Sequence, residues 1–318
     1  MKDKVDLFYD LFDEAALLHY ETLELKYLDA FIKVSEGILW GELDRRLDEE
    51  KQEKLKKIYE KISACDFCNE EIRLALELLL VKGFKHENLS LDLMTPDSIN
   101  YLFVRIISRL FPEGRIAILD TALGTGNLLS AVHNNLKNET VLCGIERDER
   151  LTRIACLAAD LQGTEVTVYC QDALLDVYEV ADVVIGDIDS YYLAEGLPLE
   201  DELYQRGVRY FPYLLLHKRL KNIRPGGYFI YLVDNDIFQK PKGEILKALL
   251  EKEARLPGLI LLPKTIVQPG HPGKSILIGK KAPGMGALSV LEIPDFKADT
   301  LKKTFNKLDM MIKNIAEE

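Results

Sequence analysis

The sequence predicts an α/β protein: a mostly parallel sheet covered by helices on both faces, with an all-helical domain in front of it. Three observations predict this. Residues 1 to about 88 place their apolar residues at helical spacing, and no proline occurs before Pro96. From Arg115 onward, short runs of β-branched and leucine residues alternate with helical stretches, the pattern of buried parallel strands joined by crossover helices. The 318 residues exceed one small module and suit one large α/β domain plus a smaller one.

The front domain, residues 1–88, reads as four or five helices. Leu7, Phe8, Leu11, Phe12, Ala15 and Leu18 recur at helical spacing, as do Leu25, Leu28, Phe31 and Ile32. Leu55, Ile58, Tyr59 and Ile62 form a third stripe, and Ile72, Leu76, Leu79 and Leu80 a fourth. Thr95 is a plausible N-cap and Pro96 suits the first position of a helix running to about Phe111. Arg115–Leu119, Thr140–Ile145, Glu165–Tyr169, Asp182–Ile185 and Tyr228–Val233 read as strands. Asn127–Leu136, Asp148–Leu161 and Tyr213–Ile223 read as helices between them. Leu259–Leu262 and Ser275–Ile278, joined by the Pro/Gly-rich loop Pro263–Gly273, are expected as an antiparallel hairpin at the sheet edge. The main domain is expected over 89–299, and 300–318 as an amphipathic terminal helix.

Composition narrows the function. The net charge is −11 and the pI about 5.2, so no large basic surface grips phosphate backbones by charge alone. Five scattered cysteines favour reduced thiols and a cytoplasmic setting. No stretch approaches the length of a transmembrane helix, and the charged start does not read as a secretory signal. The lone pair Cys65/Cys68 has no matched second pair, so a metal site is not expected. Lys51–Lys61 interleaves with glutamates and reads as a solvated helix face. Tyr204–Phe211, with two arginines among aromatics, reads as a lid packing on the core or as a small nucleic-acid contact. His271 reads as a loop residue beside an acceptor site rather than a base.

The informative stretch is Asp120, Thr121, Ala122, Leu123, Gly124, Thr125, Gly126, Asn127 and Leu128, which follows a strand and opens a helix. Glycines let the backbone turn tightly and approach a ligand closely. Leu129 stands where a dinucleotide cradle needs a third glycine, and Asp120 suits an amino group rather than a phosphate. Glu146, 20 residues beyond Gly126, ends the next strand, where a carboxylate accepts both ribose hydroxyls; Arg147 follows it. Asp172 and Ala173 follow the third strand, where a carboxylate accepts an adenine amino group. An amine, a ribose and an adenine, with no phosphate between them, describe S-adenosylmethionine.

With Thr95-Pro96 ahead of Asp120–Gly126, the chain resembles the class I S-adenosylmethionine-dependent methyltransferases. More narrowly it resembles their adenine-N6 group, which includes the modification subunit of type I restriction systems. Arg224–Gly227, Leu261–Pro263 and Lys274–Ile278 fit the later half of that family, and the overall layout is similar to the YtxK-like proteins. The resemblance covers about residues 90–281. It implies a Rossmann-like seven-stranded sheet, with Thr95 against the cofactor's carboxylate. The family signature N/D-P-P-F/Y/W falls on Asp187-Ile188-Asp189-Ser190-Tyr191-Tyr192, which keeps the first position and lacks both prolines. The resemblance implies that Asp187 holds the acceptor amine and borders the cofactor, and that Tyr191 or Tyr192 forms a stacking wall. The methyl acceptor implied is adenine in DNA or RNA, with protein and small molecules left open. The second expectation is a cofactor-binding protein without transfer activity. In either case residues 1–88 are expected to meet a protein partner or a second copy of the chain.

Overall fold

The computed structural model describes residues 2–267, 270–284 and 286–317. Gln268 and Pro269 of the predicted Pro/Gly-rich loop, and Glu318 of the predicted terminal helix, lie outside the described residues. In chain order the elements are α1 (Lys2–Leu23), α2 (Tyr27–Trp40), α3 (Glu49–Ser63), α4 (Asn69–His86), α5 (Asp97–Leu110), β1 (Arg115–Asp120), α6 (Asn127–Asn135), β2 (Glu139–Glu146), α7 (Glu149–Leu161) and β3 (Val166–Cys170). There follow β4 (Ala181–Asp187), α8 (Glu202–Gln205), α9 (Phe211–Arg219), β5 (Ile223–Asp234), α10 (Gly243–Glu253), β6 (Arg255–Leu261), β7 (Lys274–Lys280), β8 (Ser289–Glu292) and α11 (Ala298–Glu317). Among the described residues the sheet has eight strands, in the order β3-β2-β1-β4-β5-β7-β6-β8.

Two compact units emerge. The first comprises residues up to Asn100 with Leu123–Asn135 and Asp148–Cys170. The front segment folds into four α-helices. Asp48 starts α3 by accepting the Lys51 N–H at 2.9 Å, and the Cys68 N–H donates to Glu71 Oε2 at 3.0 Å where α4 begins. These bonds satisfy backbone groups that a helix end otherwise leaves open. Phe8, Phe12, Phe31 and Phe84 centre the core, and Ile154, Leu157 and Ala158 of α7 belong to it. Ion pairs reinforce that junction: Arg150 pairs with Glu87 at 2.6 Å and with Asp29 at 3.0 Å, and Arg153 pairs with Glu36.

The second unit comprises Tyr101–Ala122, Leu136–Arg147 and Gln171 to the end. Its strands β2, β1, β4 and β5 are parallel, with Asp120 level with Gly144 and Ile185. β7 lies antiparallel between β5 and β6, as the expected hairpin requires. An eighth strand, β8, adds parallel to β6, so the hairpin is not the sheet edge. β8 escapes a pattern search because it has four residues, mostly exposed, without an alternating apolar face. α11 buries Leu308, Met311, Ile312 and Ile315, and its Asp309 accepts from Arg105 at 2.9 Å and Arg109 at 3.0 Å.

Gly279 of β7 stands opposite Phe229 of β5, and a Cβ there would lie 1.8 Å from the phenyl ring. Gly279→Ala is therefore expected to destabilise the protein by about 1–3 kcal/mol through overpacking. Urea unfolding with an unshifted midpoint would refute this account of the glycine.

Candidate functional site

The carboxyl ends of the parallel strands gather acids. In the second unit, Asp120 ends β1, Glu146 ends β2, Asp187 ends β4 and Asp234 ends β5. The register places Asp187 beside Leu232, two residues before Asp234. The Gln171 N–H donates to the Glu146 carbonyl at 2.9 Å, which brings Asp172 alongside the end of β2. The Asp172 carboxylate accepts the Leu174 N–H at 2.8 Å and so turns the chain past Ala173.

Asp120 is fully buried. Its Oδ1 accepts the Ala122 N–H at 3.0 Å, and its Oδ2 has no hydrogen-bond partner among the described residues. Burial is the main force on this carboxyl. The Ala122 N–H opposes it, the charges of Glu146 and Asp187 add to it, and the pKa is pushed up to about 7. A buried carboxylate oxygen without a donor calls for one from outside the chain. Thr121 anchors the turn, its N–H and hydroxyl both donating to the Ile185 carbonyl at 2.9 and 3.1 Å. Gly186 makes this close approach workable, since a Cβ there would meet the Thr121 hydroxyl at 2.9 Å.

Leu123–Leu128 belong to the first unit. Gly124 and Gly126 both have positive φ, 54° and 78°. A Cβ at Gly124 would meet the Leu93 carbonyl at 3.0 Å, and one at Gly126 would meet the Ala155 methyl at 3.3 Å. Thr125 is buried, and its hydroxyl has no partner among the described residues. Asn127 and Leu128, both buried, open α6. Thr95 is buried, and its carbonyl accepts from the Asn127 carboxamide at 3.3 Å.

The segment after β4 is tied down despite lacking prolines. The Phe211 N–H donates to the Tyr191 carbonyl at 2.9 Å, the Leu193 N–H donates to the Arg209 carbonyl at 2.8 Å, and Tyr192 bridges Tyr210. Tyr191 stacks on Phe211 with ring centres 4.6 Å apart, and the Arg147 guanidinium lies over the same ring. Tyr192 is 54% exposed. Of the two tyrosines it is the more exposed. Tyr204 and Tyr210 are buried, and the Arg209 guanidinium covers the Tyr204 ring at 3.9 Å. The lid-packing expectation for Tyr204–Phe211 therefore fits this arrangement.

Sequence reading did not name Lys274 or Asp234 as site residues. Lys274 Nζ lies 3.3 Å from Asp234 and 3.8 Å from Asp187. Burial alone would lower the lysine, but the charges of Asp187 and Asp234 outweigh it and hold the ammonium above its ordinary value. His271 Nδ1 accepts the Gly273 N–H at 3.1 Å, so Nε2 carries the ring proton and faces Asp234 at 3.4 Å. The ends of β4 and β5 are thus acidic, with the half-buried Lys274 ammonium between Asp187 and Asp234. Only the Pro-Gly loop leading into Lys274 could have signalled this in the sequence.

Comparison with known proteins is consistent with this geometry. A family model described as the YtxK N-terminal helical domain matches residues 6–84. The protein YtxK of Bacillus subtilis (strain 168) is 30% identical over 272 residues, 83% of this chain and 83% of that one. The crystal structure of a putative class I S-adenosylmethionine-dependent methyltransferase from Listeria monocytogenes is 27% identical, with a TM-score of 0.84 over 99% of both chains. A modification subunit of a putative type I restriction enzyme from Vibrio vulnificus shares the fold at 16% identity, with a TM-score of 0.67 over 87% of this chain and 65% of that one. The α/β fold is that of the class I methyltransferases. Among the described residues no helix is long and apolar enough to cross a membrane.

Proposed function

The chain belongs to the YtxK-like family, and from that premise we propose that it is an S-adenosylmethionine-dependent methyltransferase acting on an amino group of adenine in nucleic acid. The observation that carries the cofactor is Asp120, fully buried with one carboxylate oxygen unpartnered. An ammonium group supplies the missing donor and the missing charge. The residues present fit the rest of the molecule. Glu146 takes the ribose hydroxyls, with Arg147 beside it, and Asp172 with Ala173 takes the adenine. Thr121, Ala122, Gly124, Gly126, Asn127 and Leu128 shape the turn, and Thr95 faces the carboxylate end. S-adenosylmethionine supplies, when bound, a methyl group on a positively charged sulfur. The chain's own task is alignment. Asp187 accepts a hydrogen bond from the acceptor amine and orients its lone pair. Tyr192 offers a face on which a flipped base stacks. Residues 1–88, the main domain 89–299 and the terminal helix 300–318 are the functional divisions we assign. The front helices serve a protein partner or self-association, and the setting is cytoplasmic.

One observation favours a second reading, a cofactor-binding protein without transfer. The Lys274 ammonium sits 3.8 Å from Asp187, where an acceptor amine would need to approach. Incubation with methyl-labelled S-adenosylmethionine and a cell extract divided into DNA, RNA, protein and small molecules separates the two. Label entering nucleic acid supports the enzyme; label in no fraction, with binding intact, supports the second reading.

The cofactor assignment has its own check. Glu146→Ala and Asp172→Ala each delete a charged acceptor worth roughly 1.5–3 kcal/mol. S-adenosylhomocysteine should bind each variant about ten-fold more weakly or worse. Calorimetry showing wild-type affinity in either variant would remove that residue from the site.

A further inference from the structure

We propose that Arg73, on the fourth helix of the front domain, is a positioning residue for the cofactor turn. The inference rests on the reading that Gly124–Leu128 binds S-adenosylmethionine. Arg73 is 2% exposed. Its Nε and Nη2 donate to Glu70 at 2.9 and 2.8 Å. Its Nη1 donates to Glu77 at 3.1 Å, to Asp97 at 2.8 Å and to Asn127 Oδ1 at 2.7 Å. Every one of these residues lies in the first compact unit.

The last of these bonds has a consequence at the turn. Arginine only donates, so the Asn127 oxygen must face it, and the Asn127 nitrogen is left to point the other way. There it donates to the Thr95 carbonyl at 3.3 Å, which also accepts from the Asn100 carboxamide. The Leu93–Thr95 segment meets the turn a second time, at Gly124, where the Leu93 carbonyl would stand 3.0 Å from a Cβ. Arg73 thereby fixes one carboxamide, and that carboxamide pins the first residue of α6 to the segment behind the turn. Stability alone is a poor reason for such a cluster. Burying a cation with several acids costs desolvation, and apolar residues of similar volume often serve folding as well. Burial, then the hydrogen bond and charge of Asp97, also push the Glu77 carboxyl up, against the pull of Arg73. The front helices are by this account part of the cofactor site's support.

The test is calorimetric titration of S-adenosylhomocysteine into the full chain, using wild type, Arg73→Lys, Asn127→Ala and the double variant. Each is held well below its own melting temperature, with its fold checked by circular dichroism. Both single variants are expected to bind about ten-fold more weakly, because each removes the same charge-assisted hydrogen bond. The double variant should lose no more than the worse single one, since the shared bond can be lost only once. Asn127→Ala is the milder change and keeps the test readable if Arg73→Lys misfolds. Lower melting temperatures with affinities within two-fold of wild type would overturn the positioning role and leave the cofactor reading standing. Losses that multiply in the double variant would overturn the route through Asn127. Failure of the wild type to bind S-adenosylhomocysteine would overturn the cofactor reading and the positioning role together.

Discussion

Replacing Asp187 by alanine is expected to lower methyl transfer by at least about 100-fold while S-adenosylhomocysteine affinity stays within about three-fold. The asymmetry follows from where the side chain sits. Asp187 ends β4, is partly exposed, and lies 3.8 Å from Lys274, which also pairs with Asp234. Its proposed partner is the acceptor amine, whose lone pair must be aimed at the methyl group. Losing that aim costs rate far more than binding. The fold should survive, because Lys274 keeps Asp234 at 3.3 Å and is not left as an unpaired buried cation. Asp187→Asn refines the test. It keeps an acceptor oxygen but removes the charge, so it should retain more activity than alanine. The readout is label transferred per minute into the fraction that the wild type methylates. An alanine variant with wild-type turnover would show that Asp187 does not hold the acceptor.

Periodic burial made the fold legible in the sequence. The parallel strands carry unbroken apolar runs, and the front helices carry stripes of Leu, Ile and Phe, so local pattern was enough. The cofactor motif was legible because its residues are contiguous or end successive strands. What escaped depends on pairings far apart in the chain. Lys274 meets Asp187 only because β7 runs antiparallel beside β5 while β4 lies on its other side. No spacing rule links residues 187 and 274. Arg73 lies outside the apolar stripe Ile72, Leu76, Leu79 and Leu80, yet it is among the most buried of the described side chains. The two tyrosines after Asp189 were equivalent as letters. They differ in space because Phe211 covers one ring and leaves the other open.

Asp120→Asn is expected to move cofactor affinity and stability in opposite directions. The Asp120 pKa is raised to about 7, so below neutrality the folded protein holds a proton there. An ammonium ligand needs the carboxylate, and the amino group of S-adenosylhomocysteine stays protonated in this range. Binding must therefore expel the Asp120 proton whenever it is present. Affinity should fall up to ten-fold for each pH unit below about 7 and level off above it. The amide cannot ionise, so the variant should lose this slope and bind about ten-fold more weakly or worse at pH 8. Stability without ligand runs the other way. An unfolded aspartate ionises near pH 4, so between about pH 4 and 7 the folded state binds more protons than the unfolded one. Unfolding free energy then falls as pH rises through that window, by on the order of 4 kcal/mol in all. Asparagine avoids this cost, so the variant without ligand should melt a few degrees above wild type at pH 8. Two experiments decide it: titrations of S-adenosylhomocysteine from about pH 5 to about pH 8.5, and melts at the upper end. A wild-type affinity that ignores pH, or an asparagine variant that binds as tightly, would show that no ammonium group meets Asp120. A buried carboxylate that weakens the empty protein and strengthens the loaded one is what a binding site built around a cation requires.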